Sequence, residues 1–221
     1  MTKTLAFIHT SPVTIPVFGN LAEEKLPGVE VFHMLDESLL KNTLAAGKLE
    51  KTTVRRLSGM VESAGDAGAD AVMVVCSSIG PAVDVAREMV DFPVVRVDEA
   101  MAEEAVWAGD RIGVAATLAS TLEPTCALIR SRAESLGLER TLVEKLCEGA
   151  FDAVKAGDAE THDRIVSEGL AELAEQCDVI VLAQASMARV ADALAPERRT
   201  KPILSSPASG VDSARKALEG F

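Results

Sequence analysis

Short apolar, β-branched runs alternate along the chain with longer stretches in which apolar residues recur every three or four positions. The short runs predict strands at 5–9, 29–34, 71–75, 94–97, 112–115, 140–144, 179–182 and 203–205. The longer stretches predict helices at 50–67, 81–89, 99–108, 121–136, 147–156, 160–176, 187–194 and 209–218. Strands that are apolar throughout, with helices between them, are the signature of parallel sheets covered on both faces.

The pattern also repeats. The run Asp70-Ala-Val-Met-Val-Val-Cys76 returns as Asp178-Val-Ile-Val-Leu-Ala-Gln184, 108 positions later. Thr4-Leu-Ala-Phe-Ile-His-Thr10 pairs with Arg111-Ile-Gly-Val-Ala-Ala-Thr117 at a shift of 107, and Phe92-Pro93 with Lys201-Pro202 at 109. Near-equal shifts in the same order predict two pseudo-symmetric Rossmann-like lobes. Lobe 1 is residues 1–98, lobe 2 is 99–205, and the C-terminal helix 206–221 packs back on lobe 1. The fold class is α/β, each lobe a mostly parallel sheet flanked by helices. The active-site cleft is expected between the lobes, at the carboxyl ends of the strands. Equivalent positions expected to converge there are Thr10 and Ser11 with Thr117 and Leu118, Cys76 with Gln184, and Ser77 and Ser78 with Ala185 and Ser186.

Composition narrows the partners. Hydrophobic residues are 48% of the chain and charged residues 25%, enough for a filled core, while aromatics are only 3%. The net charge of −12 comes without any basic stripe, which argues against nucleic acid and anionic membrane surfaces. No apolar stretch approaches the ~20 residues of a membrane helix, and the N-terminus reads as a first strand, not a secretory signal. The four cysteines match no zinc or CxxC spacing, so free thiols and a cytoplasmic location are expected. The histidines make no metal site, and phosphate-binding glycine loops are absent. A homo-oligomer is compatible with the sequence.

Cys76 ends a strand and precedes Ser77-Ser78-Ile79-Gly80-Pro81, a strand-to-helix turn. Free backbone N–H groups there are expected to lower the thiol pKa and to bind a carboxylate. Cys126, Cys147 and Cys177 read as core packing. Gln184 mirrors Cys76, but its amide donates and accepts without acting as a base. Ser186 reads as a helix N-cap, alone or with a ligand contact, as does Thr121. Thr117 reads as a contact for a substrate carboxylate. Thr10 and Ser11 form a polar turn after the first strand. His9 could face the cleft as an acid/base group, although strand-end histidines are more often structural. His33 and His162 show no partner and read as surface or strand residues, and Trp107 as packing.

These residues resemble the aspartate/glutamate/hydantoin racemase superfamily over nearly the whole chain. Val-Val-Cys76-Ser-Ser is similar to its first cysteine motif, and Leu182-Ala-Gln184-Ala185-Ser186-Met187 to its second, Leu-Gly-Cys-Ala/Thr-Gly-Met. His9-Thr10-Ser11 is similar to its substrate turn, and Thr117-Leu-Ala-Ser-Thr121 to its carboxylate-binding threonine segment. The resemblance implies a cofactor-independent enzyme in which thiols flank the α-carbon of a small carboxylate or amino-acid-like substrate. Here Gln184 stands in the second thiol position. The first expectation is therefore a racemase-type isomerase with a single catalytic Cys76. A single-thiol decarboxylase or cis-trans isomerase of small acids is the alternative, and a non-catalytic carboxylate-binding protein is the alternative from another class.

Overall fold

The computed structural model describes residues 2–221. The chain divides into two compact units, one running to Glu99 and completed by Pro207–Phe221, the other Ala100–Ser206.

The first unit contains strands β1 (Thr4–His9), β2 (Glu30–Leu35), β3 (Ala71–Val74) and β4 (Val94–Arg96). They form one all-parallel sheet in the order β2-β1-β3-β4. Its helices are α1 (Thr14–Lys25), α2 (Glu37–Ala46), α3 (Lys51–Asp66) and α4 (Pro81–Arg87), while α5 (Glu99–Ala108) begins at its boundary and belongs to the second unit. Strand alternation sorts the core into two layers. Ala6, Ile8, Val72 and Val74 face α2, α3 and α4, meeting Leu39, Leu57, Val61 and Val83. Leu5, Phe7, Met73 and Val97 face the opposite way, against Phe18 and Ala22 of α1.

That second layer is closed by the end of the chain. Helix α10 (Ser206–Gly220) adds Val211, Ala214 and Leu218 to it. The approach is close at Gly210, where a Cβ would lie 2.7 Å from Met73 Cε and 2.8 Å from the Val97 carbonyl.

The second unit repeats the plan with β5 (Arg111–Ala116), β6 (Thr141–Leu146), β7 (Val179–Leu182) and β8 (Ile203–Ser205), all parallel in the order β6-β5-β7-β8. Ile112, Val114, Val179 and Val181 pack on α5 and α6 (Ala119–Ser135). Ala115, Ile180 and Leu182 pack on α7 (Ala150–Lys155), α8 (Ala159–Gln176) and α9 (Ala188–Ala193).

All eight expected strands form, whereas two helices lie where none was expected. Helix α1 carries Pro16 and Gly19, residues that read as helix breakers. Pro16 lies in the first turn, where a missing N–H has no intrahelical acceptor to lose. Helix α2 is delimited by Asp36, whose carboxylate accepts from the Ser38 N–H at 3.0 Å, and by Gly47 at φ 64°, the left-handed conformation that suits glycine. Trp107, read as packing, is 63% exposed. No helix among the described residues is long and apolar enough to cross a membrane.

Candidate active site

In the first unit, β1 and β3 run in parallel with Ile8 opposite Val74. Two residues further along, the same register brings Thr10 opposite Cys76, on the face that carries α2, α3 and α4. Cys76 has extended backbone angles (φ −132°, ψ 109°) and opens a 3-10 turn over Ser77–Ile79. The Thr10 hydroxyl and the backbone N–H groups of Ser78 and Ile79 donate toward the sulfur, and each favours the thiolate. Burial acts the other way and prevails, so the Cys76 thiol is raised above its ordinary pKa, with the charge of Asp98 adding to the effect. This corrects the expectation of a lowered thiol pKa: the N–H groups are present, but desolvation of the charged form outweighs them. Ser77 and Ser78 are both buried in this turn, as is Thr10, while Ser11 is half-buried.

Sequence reasoning missed the support beneath the turn. Arg96 and Asp98 are buried and form a two-pronged ion pair, Nε to Oδ1 and Nη2 to Oδ2, each 3.0 Å. The guanidinium lies against Gly80, where a Cβ would come within 2.5 Å of Nη2. The available signal was a pair of charges, two apart, ending an apolar strand.

His9 does not join Cys76. It shares the face of Leu5 and Phe7, opposite to Thr10, and is fully buried against Phe18. Its Nδ1 is 2.7 Å from the Thr14 hydroxyl, which donates to the Ser11 carbonyl at 2.8 Å. The hydroxyl proton being used there, His9 Nδ1 is the donor, so Nε2 accepts from His33 Nδ1 at 2.9 Å. Burial, with His33 second, lowers the His9 pKa to about 4. Thus His33 has a partner after all, and the chain of three hydrogen bonds anchors the turn after β1. His162, read as a surface or strand residue, is buried on α8, with Nδ1 2.9 Å from Asp163. No group of His, Cys, Asp and Glu among the described residues could hold a metal ion.

The second unit builds the same pair again. Ala115 lies opposite Leu182, so two residues on Thr117 meets Gln184. Gln184 has nearly the backbone angles of Cys76 (φ −135°, ψ 135°) and opens the matching 3-10 turn, Ala185–Met187. The Thr117 N–H donates to Gln184 Oε1 at 2.6 Å and its hydroxyl to the same oxygen at 3.0 Å. Thr117 and Thr121 are buried, Gln184 and Ala185 half-buried, and Ser186 exposed. Thr121 lies in the first turn of α6, its N–H bonded to the Leu118 carbonyl at 3.1 Å.

Each unit thus ends its central strands on a threonine paired with a chemically capable residue, a thiol in one and an amide in the other. The architecture has counterparts among solved structures. Glutamate racemase of Bacillus anthracis matches with a TM-score of 0.77 at 16% identity, covering 99% of this chain and 82% of that one. Picrophilus torridus aspartate racemase gives 0.72 at 12% identity, over 98% and 94%. Allantoin racemase of Klebsiella pneumoniae gives 0.71 at 18% identity, over 98% and 88%. In sequence, 129 residues are 30% identical to the Schizosaccharomyces pombe uncharacterized protein C576.02, a match over 57% of this chain that spans about half, 53%, of that protein. The profile of Asp/Glu/hydantoin racemases matches residues 11–214. Strand-end pairs, duplicated sheets and profile agree: the chain belongs to the Asp/Glu/hydantoin racemase family.

Proposed function

We propose that the protein is a cofactor-independent enzyme that transfers a proton at the carbon next to a carboxylate of a small acid, with Cys76 as its single thiol. The observation that carries this reading is the twice-built strand-end pair, Thr10 with Cys76 and Thr117 with Gln184. The family resemblance implies a thiol at both positions, and an amide neither gains nor loses a proton near neutral pH. Proton traffic therefore passes through one sulfur. The buried Ser77 and Ser78, in the turn that follows Cys76, would hold the carboxylate, and N–H donors of that turn would stabilise an enediolate-like intermediate.

A second reading is decarboxylation, in which Cys76 acts from its protonated form, the form that burial of the thiol stabilises. The C–C bond to a leaving carboxylate breaks, CO2 departs, and the electron pair stays on the α-carbon as the enediolate. Cys76 gives its proton to that carbon, and the thiolate regains one from water.

Both readings are tested in heavy water with 2-substituted malonates and 2-substituted monocarboxylates, followed by NMR and chiral chromatography. The expected result is deuterium at the α-carbon with the wild type and none with Cys76→Ala, and exchange of monocarboxylates outrunning their racemisation. Inversion as fast as exchange, or activity retained in Cys76→Ala, would assign the chemistry to other groups.

A further inference from the structure

The Gln184 amide is held in one orientation, and this decides what it can recognise. The Thr117 backbone N–H, 2.6 Å away, can only donate, so the atom facing it is the carbonyl oxygen. Flipping the amide would set N–H against N–H. The Thr117 hydroxyl, at 3.0 Å, takes the second lone pair of Oε1. The acceptor capacity of Gln184 is therefore spent. Nε2 keeps two hydrogens and has no hydrogen-bond partner among the described residues, although the side chain is only half-buried. Thr117 is buried and Gln184 half-buried, and the hydrogen-bonding capacity the pair has left to offer is that of a pure donor.

A pure donor discriminates between the two commonest substituents of a small carboxylic acid. A hydroxyl, carbonyl or second carboxylate offers lone pairs to Nε2. An ammonium group offers only hydrogens, and meeting Nε2 it would leave both sides unpaired. We propose that Gln184 is a specificity-determining residue that selects small acids bearing an oxygen substituent on the second carbon over the corresponding α-amino acids, Thr117 acting through Gln184 as the positioning residue. This rests on the proposed function, in which Gln184 stands where the family resemblance implies a second thiol beside the α-carbon. It goes beyond that reading in naming the substrate class and in excluding, at this position, the ammonium group.

Malate and aspartate share a skeleton and differ in this substituent, so they are the probes. Their affinities for the full chain are measured by calorimetry with the wild type, Gln184→Glu and Gln184→Met. The wild type is expected to bind malate at least about tenfold more tightly than aspartate. Gln184→Glu keeps an oxygen for Thr117 but turns the donor into an acceptor, so the ratio should invert. Gln184→Met removes the group without adding charge, so the ratio should fall toward one, which separates hydrogen bonding from the difference in ligand charge. In wild type labelled with 15N-glutamine, malate should shift the Gln184 side-chain amide resonances, a readout that needs no variant. A preference of the wild type for aspartate, the same ratio in all three proteins, or no malate binding at millimolar concentration would overturn the proposal. Alkylation of Cys76 in parallel tells its failure from that of the wider reading. If malate protects Cys76 while the ratio ignores Gln184, the specificity role falls and the proton-transfer reading stands. If the ratio follows Gln184 while Cys76 is labelled at an undiminished rate, the reverse holds.

Discussion

At Cys76 the proton is held on sulfur by burial, and the direction of that effect distinguishes two roles for the residue. A base must first lose the proton, so its rate climbs with pH as the raised thiol titrates. An acid is already in its working form at neutral pH, so its rate is flat there and falls only as the thiol ionises. The pH dependence of turnover, compared with that of Cys76 alkylation, reports which limb is present. Thr10→Val removes a donor from the sulfur while keeping the shape. It should slow alkylation at fixed pH by raising the thiol further. His9 carries the opposite lesson. Its pKa falls to about 4, below the ordinary value of 6.5, so the unfolded chain binds this proton more readily. Stability is therefore complete above pH 6.5 and declines as pH drops toward 4, by up to about 3 kcal/mol. Urea melts across that window should show a shallower decline in His9→Gln, which keeps a donor and an acceptor but does not titrate. The sequence reading let His9 face the cleft, and the signal that excludes this lay in the strand itself. Positions 5, 7 and 9 share one face and Thr10 takes the other, so strand alternation alone separates His9 from the threonine that meets Cys76. The thiol pKa was not legible, because N–H donors can be read from a turn motif, whereas the desolvation that overrides them depends on packing.

The elements were legible where period and burial agree. The inner strands β3 and β7 are apolar throughout because helices cover both faces, and every expected strand was found, the half-exposed edge strands β2 and β6 included. Helices α1 and α2 escaped because their signals are local: a proline tolerated only in a first turn, an aspartate cap and a glycine stop. The ion pair under the Cys76 turn escaped because charges ending a strand read as solvent-facing until Gly80 lets the guanidinium close against the backbone. The element most exposed to a single change is α10. Gly210→Ala puts a methyl carbon 2.8 Å from the Val97 carbonyl, backbone that cannot swing aside, and 2.7 Å from Met73. A cost of about 1–3 kcal/mol is expected, read as a lowered midpoint in denaturant melts. An unchanged midpoint would mean that α10 shifts freely on the sheet.

For the whole molecule, the two units differ in how the chain supplies them. Ala100–Ser206 is one uninterrupted segment with its own sheet and both helical layers. The other unit needs Val211, Ala214 and Leu218, which are made last. Expressed alone, residues 100–206 should melt cooperatively. Residues 2–99 should bind hydrophobic dyes and melt broadly, because the part of the sheet face that α10 covers beside α1 lies bare. Near-ultraviolet circular dichroism of the two fragments checks this. The same helix brings Phe221 beside β1, for Lys3 Nζ sits 5.5 Å from the centre of its ring, so residues 3 and 221 are close in space. A short linker could therefore close the polypeptide into a ring, and reopening it before Ala100 would give a permuted chain. In that order α10 precedes β1, both units are continuous, and the backbone crosses between them once instead of twice. The core waits for its last helix only because of where the ring happens to be cut.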